Sequence, residues 1–209
     1  MAELLTLSAA DLAALLCSRL CHDIISPVGA INNGLELLDE GGADEDAMNL
    51  IRASARNASA RLQFARIAFG AAGSAGMLID TGDAETVARS FIKGEKPELV
   101  WNGPRALLPK NKVKLLLNLI LVANAAIPRG GKIVVTLENL ETEPRFRLAS
   151  SGPMLRVPAR FLELHSSGKS EEPIDAHAVQ PYYTLLLARE AGMKIGVHAT
   201  ADEVVLTAD

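Results

Sequence analysis

Apolar side chains at Leu12, Leu16, Leu20, Ile24, Val28, Ile31, Leu35 and Leu38 recur four and three positions apart. That spacing draws one stripe along a helix and requires a helical neighbour to cover it. A second stretch repeats the rhythm: Met48, Ile51, Ala55, Ala58, Leu62, Ala65 and Phe69 alternate three and four apart. Helix one is expected from about Ala9 to Leu38, with Ser8 as cap, Asp11 in the first turn and a bend at Pro27. Gly41 and Gly42 end it, and helix two begins near Asp44 to Asp46. So short a connection makes the helices antiparallel. A lone hairpin cannot bury both stripes; two copies, as a four-helix bundle dimer, would do so. Ala55, Ala58 and Ala65 allow the helices to approach closely.

Gly70 to Gly76 reads as a linker of Gly, Ala and Ser, which divides the chain into residues 1–70 and 77–209. Beyond it the period changes. Helices are expected over Asp83–Gly94, Asn111–Ile127, Ala159–His165 and Gln180–Ala191. Strands are expected over Glu98–Trp101, Lys132–Glu138 and Arg145–Ser150, followed by a hairpin of Lys194–Thr200 and Glu203–Thr207. The fold class is therefore α plus α/β: an antiparallel helical hairpin followed by an α/β sandwich, one sheet with helices on one face.

Net charge is −4 with no basic cluster, so nucleic-acid binding lacks its electrostatic footprint. Arg52, Arg56, Arg61 and Arg66 alternate with alanines and read as a solvated face, with protein docking second. No uninterrupted apolar run reaches the ~18 residues of a membrane span. The longest candidate, Val113 to Ile127, is broken by Lys114, Asn118 and Asn124. No signal peptide precedes helix one, and a soluble, cytoplasmic protein is expected.

His22 sits two residues from both Leu20 and Ile24, about 200° around the helix from the apolar stripe. Its own face carries Ser18, Arg19, Ile25, Ser26 and Gly29, mostly small or polar groups that leave the imidazole accessible. An accessible histidine beside Asp23 fits a nucleophile; an ordinary surface histidine fits as well. Cys17 and Cys21, four apart on the same helix, read as small, semi-buried residues. Helical i,i+4 geometry is poor for a disulfide, and a metal site would need two more ligands at helical spacing, whereas His22 points elsewhere and His165, His177 and His198 are scattered far along the sequence.

The run from Leu20 to Leu38 resembles the phosphoacceptor box of two-component histidine kinases: His22, Asp23, then Pro27, then a Leu-rich helix. Lys114 to Leu137 looks like the Asn-box helix, loop and strand of the kinase ATP-binding domain. Together they resemble the ChpT family of alphaproteobacterial histidine phosphotransferases, which join a kinase-like helical hairpin to a degenerate ATP-binding domain. Aligned on Asn118-Leu119 and Pro128–Gly131, Val122 stands where kinases carry the metal-binding Asn, with Asn124 two residues on. In the segment resembling the adenine box, Ser150 replaces the Asp and Met154 a glycine, and Gln180, Pro181, Tyr182 and Tyr183 replace the last Gly-rich stretch. Valine cannot ligate magnesium, and tyrosines obstruct a phosphate. Asn118 and Asn124 then read as helix-surface or cap residues.

The resemblance implies that His22 takes a phosphoryl group from one receiver domain and passes it to another, with no cofactor of its own. Its partners are the receivers of a hybrid histidine kinase and of response regulators. They supply the Mg²⁺, and the chain is a phosphotransfer protein and not an autokinase. Nε2 attacks; Asp23 orients or accepts a proton from Nδ1, or is a solvated helix charge. Arg19 meets the receiver's acidic rim or makes a surface salt bridge. Ile25 and Leu15 form an apolar contact or pack in the core. Arg61 to Phe64 are expected at the depth of His22. The second domain adds docking surface or braces the bundle. A different class of function, sequestration of a receiver or kinase without catalysis, fits the same surface.

Overall fold

The computed structural model describes residues 7–40, 45–70, 77–167 and 172–209. Gly41, Gly42 and Asp44, and the linker from residue 71 on, lie outside them. Helix α1 spans Ala9–Asp39 and α2 spans Glu45–Ala68. Ser8 caps α1, its hydroxyl oxygen accepting from the Asp11 N–H at 3.1 Å. The helix continues through Pro27. Within α1 the buried positions are Pro27 and Gly34, beside the predicted stripe and not on it. They meet the small residues of α2, whose buried positions include Ala47, Ser54, Ala58 and Ala65. A Cβ on Gly34 would fall 2.6 Å from Ile51 Cγ1, so glycine sets how near the helices come. The outer edge of the stripe stays uncovered: Val28 and Leu35 on α1, and Leu62 on α2, are 42%, 47% and 47% exposed.

The remainder is a mixed sheet with helices. A short strand β1 (Leu78–Asp80) leads into α3 (Thr81–Ile92), capped by Asp80, whose carboxylate accepts from the Gly82 N–H at 2.7 Å. Then come β2 (Glu98–Asn102), β3 (Leu107–Pro109), α4 (Lys110–Ala126), β4 (Lys132–Glu138), β5 (Arg145–Ser151), α5 (Ala159–Ser167), α6 (Val179–Glu190), β6 (Ile195–Ala199) and β7 (Val204–Ala208). Five strands run in the order β2-β4-β5-β7-β6, with β2 parallel to β4 and the other pairs antiparallel. Trp101, Val135, Leu148 and Leu206 are opposed in register and all buried. α4 is apolar nearly all round, with Leu115, Leu116, Leu117, Leu119 and Ile120 fully buried, the signature of a core helix.

The expected helices and strands form within a few residues of their predicted ends. The pair β1–β3 was not expected; each strand has three residues, too few for a period to register. α1 is also more apolar than the search for unbroken runs implied. Its best 18-residue window has a mean hydropathy of 1.3, enough in length and composition to cross a membrane. Its polar residues there are chiefly small, and its apolar ones form the stripe just described.

The hairpin is not separate from the sheet unit. Phe64, Ile67 and Ala68 of α2 belong to the same buried cluster as α4 and α6, and Leu12, Leu15 and Leu16 of α1 pack against it. Asn118 of α4 ties this joint. It is fully buried, and its amide donates to the carbonyls of Ala68 (3.1 Å) and Lys114 (2.9 Å). This corrects the surface reading of Asn118: its polarity closes the C-terminal end of α2.

Gly34→Leu is expected to lower stability by about 1–3 kcal/mol through overpacking against Ile51 and Ala47, although leucine is the better helix former. Urea unfolding at fixed protein concentration, beside the wild type, measures it.

Candidate functional site

His22 projects from the middle of α1 with 68% of its side chain exposed. The Asp23 carboxylate faces one edge of the ring, Oδ1 lying 3.5 Å from Nδ1, an electrostatic contact longer than a well-formed hydrogen bond. The other Asp23 oxygen accepts from Arg19 Nε at 2.9 Å. Arg19, Asp23 and His22 therefore form a short row, and Arg19 makes the surface salt bridge that was one of its two predicted roles. With Nδ1 turned to Asp23, the Nε2 edge is directed away from that carboxylate.

The surroundings are open. Ser18 and Ser26 are exposed, and a Cβ added to Gly29 would meet nothing within 4 Å. Ile25 is 71% exposed, an apolar knob three residues from the imidazole, whereas Leu15 packs against the core. Cys17 and Cys21 are free thiols and exposed, not semi-buried. A groove of about 420 Å³ runs beside His22 between the helices, lined in part by Ser26, Ala30, Ser54, Asn57 and Arg61.

Arg61 differs from its solvated neighbours. Its guanidinium donates to Asn57 Oδ1 (2.7 Å) and to Glu95 Oε1 (2.6 Å) and lies 5.5 Å from the centre of the Phe91 ring. Asn124 of α4 donates to the other Glu95 oxygen at 3.4 Å. Asn124 thus completes a link from α2 to the sheet unit. Phe64, predicted at the depth of His22, turns into the core and packs on Phe91 with ring centres 4.5 Å apart.

Of the positions that the resemblance set against a kinase nucleotide pocket, Met154 is exposed and the others are taken up by internal contacts. Val122 is 2% exposed. The Ser150 hydroxyl donates to the Ala123 carbonyl at 3.3 Å. Gln180 is buried, and its amide donates to the Asn118 carbonyl (3.0 Å) and to Thr184 Oγ1 (2.9 Å). The Tyr182 hydroxyl accepts from the Leu7 N–H at 3.2 Å, fastening the start of α1. The Tyr183 hydroxyl accepts from Lys114 Nζ at 3.4 Å. Burial pushes Tyr183 up to about 12, with Glu190 adding to the rise, and burial followed by Lys110 brings Lys114 below its ordinary value. The tyrosines are core residues, not plugs at a pocket mouth.

One residue at the site was missed. His177, on the loop before α6, brings its ring to 5.5 Å from that of His22, centre to centre, with the planes at 77°. It is far from His22 along the chain, and contact between segments so far apart in sequence leaves no local pattern. Asp175 holds the loop, its Oδ1 accepting from the N–H groups of His177 (2.9 Å) and Ala178 (2.8 Å). These bonds, that of Ala178 foremost, lower the Asp175 pKa below its ordinary 3.8. Ile174 and Ala178 on either side of this turn are buried, while His177 itself is exposed.

Comparison with known proteins gives a consistent picture. The family described as "Histidine phosphotransferase C-terminal domain" matches residues 81–203. The chain is 72% identical to "Protein phosphotransferase ChpT" of Brucella abortus (strain 2308) over 204 residues, 98% of each chain. A solved structure of a bacterial phosphotransferase, 69% identical, superposes with a TM-score of 0.94 over the full length of both chains.

Asp175→Ala is expected to lower the melting temperature at neutral pH by a few degrees, the scale of one lost capping interaction. Because the native carboxyl titrates below 3.8, its contribution is complete above that pH and fades as pH falls through the native value. Melts of the two proteins, separated at pH 7, should converge under strong acid.

Proposed function

The chain belongs to the histidine phosphotransferase family, and we propose that it relays a phosphoryl group between receiver domains through phospho-His22. The observation that carries this reading is the bare imidazole: exposed, flanked by Ser18, Ser26 and Gly29, with one ring edge held toward Asp23. The donor is an aspartyl phosphate on the receiver of a hybrid kinase. The Nε2 lone pair forms the N–P bond as the P–O bond breaks, and the electron pair leaves on the receiver's carboxylate. Nδ1 keeps its hydrogen, and Asp23 offsets the positive charge that the ring acquires. The reverse steps deliver the group to a response regulator. Magnesium held by the receiver neutralises charge on the transferring group; this chain supplies the nucleophile, its orientation and the docking surface. Arg19 and Ile25 beside the ring suit an acidic cleft with an apolar rim.

The reading assigns no ATP chemistry to residues 77–209. It is supported by the commitments inside that unit: Ser150, Gln180 and Tyr183 spend their polar groups on the fold, and Val122 offers no oxygen. Residues 1–70 then form the dimerisation and phosphotransfer domain, and residues 77–209 a degenerate relative of the kinase ATP-binding domain that braces the hairpin and adds docking surface. The protein acts in the cytoplasm, where receivers reside. Two copies pair through the uncovered edge of the stripe, Val28, Leu35 and Leu62, as a four-helix bundle.

A phosphorylated receiver should label the wild type and leave His22→Ala unlabelled, with receiver binding and folding retained in both. Labelled ATP and magnesium alone should label neither. A His22→Ala variant that still relays phosphate refutes the nucleophile, and binding without any labelling of the wild type favours the sequestering alternative.

Light scattering should return twice the chain mass for the wild type and the single-chain mass for a Val28→Glu, Leu62→Glu double variant, since each copy would bury paired carboxylates in the seam.

A further inference from the structure

We infer that His177 is a second imidazole of the phosphotransfer site, one that donates a hydrogen bond to the phosphoryl group carried by His22. The inference rests on the assignment of His22 as phosphoacceptor. Its ground is the ring contact at 5.5 Å and 77° between two otherwise exposed histidines. Surface side chains seldom hold such an arrangement unaided, and here the backbone holds it. The turn is anchored at Ile174 and Ala178, both buried, and pinned by the two N–H bonds to Asp175. His177 is presented between those anchors, toward His22 and not toward the core.

Distance and chemistry agree. One N–P bond and one P–O bond beyond Nε2, a phosphoryl oxygen lies about as far from the centre of the His22 ring as does the near edge of the His177 ring. The inference requires a rotamer of His177 that turns an N–H toward that oxygen, and the ring separation leaves it within a side chain's reach. A neutral imidazole offers one N–H and an imidazolium two, and a phosphoryl group offers only acceptors. The charged groups around the site are Asp23 and Arg19 on α1, Asp175 on the loop, and Arg61 on α2, the last committed to Asn57 and Glu95. Arg19 is committed to Asp23. His177 is therefore an imidazole donor brought to the ring from outside the hairpin, in addition to the hydroxyls of Ser18 and Ser26. It also makes the site composite: the nucleophile comes from the hairpin, and its companion from the loop of the sheet unit.

Potassium phosphoramidate tests this without a receiver, so docking cannot confuse the result. Nε2 attacks phosphorus, the P–N bond of the reagent breaks, and ammonia leaves after taking up a proton from water. Phospho-His22 formation in the full-length protein is followed by intact mass. His177→Ala should react about tenfold more slowly, the scale of one hydrogen bond to a charged group. His177→Gln, which restores an N–H donor, should recover most of that rate. The ³¹P resonance of phospho-His22 should move in His177→Ala and return toward its wild-type position in His177→Gln. Equal rates for wild type and His177→Ala, a glutamine variant no faster than alanine, or an unmoved resonance overturns the inference. A His22→Ala control that reacts as fast as the wild type would instead refute the phosphoacceptor assignment, slower reaction being that of the other exposed histidines. Melting curves verify that each variant folds, which the exposure of His177 leads one to expect.

Discussion

The close meeting of α1 and α2 around Pro27 and Gly34 is the constraint on which the rest of the structure depends. A helix that keeps one face open around an exposed histidine must be gripped from another side. Here the grip comes from small residues. Gly34 lets Ile51 and Ala47 reach the backbone of α1, and Pro27 is buried beside it. Because the contact is narrow, the face with Ser18, His22, Ser26 and Gly29 is left clear. Larger side chains in the seam would widen the hairpin and draw apart the groove lined jointly by His22, Asn57 and Arg61.

In the second unit, buried polar residues serve as fasteners. Asn118 bonds the end of α2, Gln180 bonds Asn118 and Thr184, and Tyr182 bonds the start of α1. The hairpin is secured to the sheet unit at both ends of its chain. Arg61, Glu95 and Asn124 add a third tie across α2, α3's trailing loop and α4. Such buried hydrogen-bonded groups are costly if broken one at a time, so the relative placement of the two units is strongly specified.

Much of this was legible in the chain. The four-and-three spacing marked α1 and α2, and the rotation of His22 away from Leu20 and Ile24 marked it as accessible, because helical geometry alone converts spacing into direction. The strands β4 and β5 followed from alternation and β-branched content. The illegible parts share one cause: they are long-range. Nothing near Asn118 says that its amide finds the Ala68 carbonyl, and nothing near His177 says that α1 lies alongside. Arg61 looked like its neighbours Arg56 and Arg66 because only a partner from α3's far side, Glu95, sets it apart. The two three-residue strands failed for the opposite reason, being too short to carry any pattern.

Pro27 has a consequence at the site itself. With no N–H, it withholds the hydrogen bond that the Asp23 carbonyl would receive in an unbroken helix. The missing rung lies at the residue next to His22. That segment of α1 lacks one strand of its backbone lacing, so the burial of Pro27 against α2 is what holds it. Packing there substitutes for a hydrogen bond, and the seam carries at this turn what the helix ladder carries elsewhere.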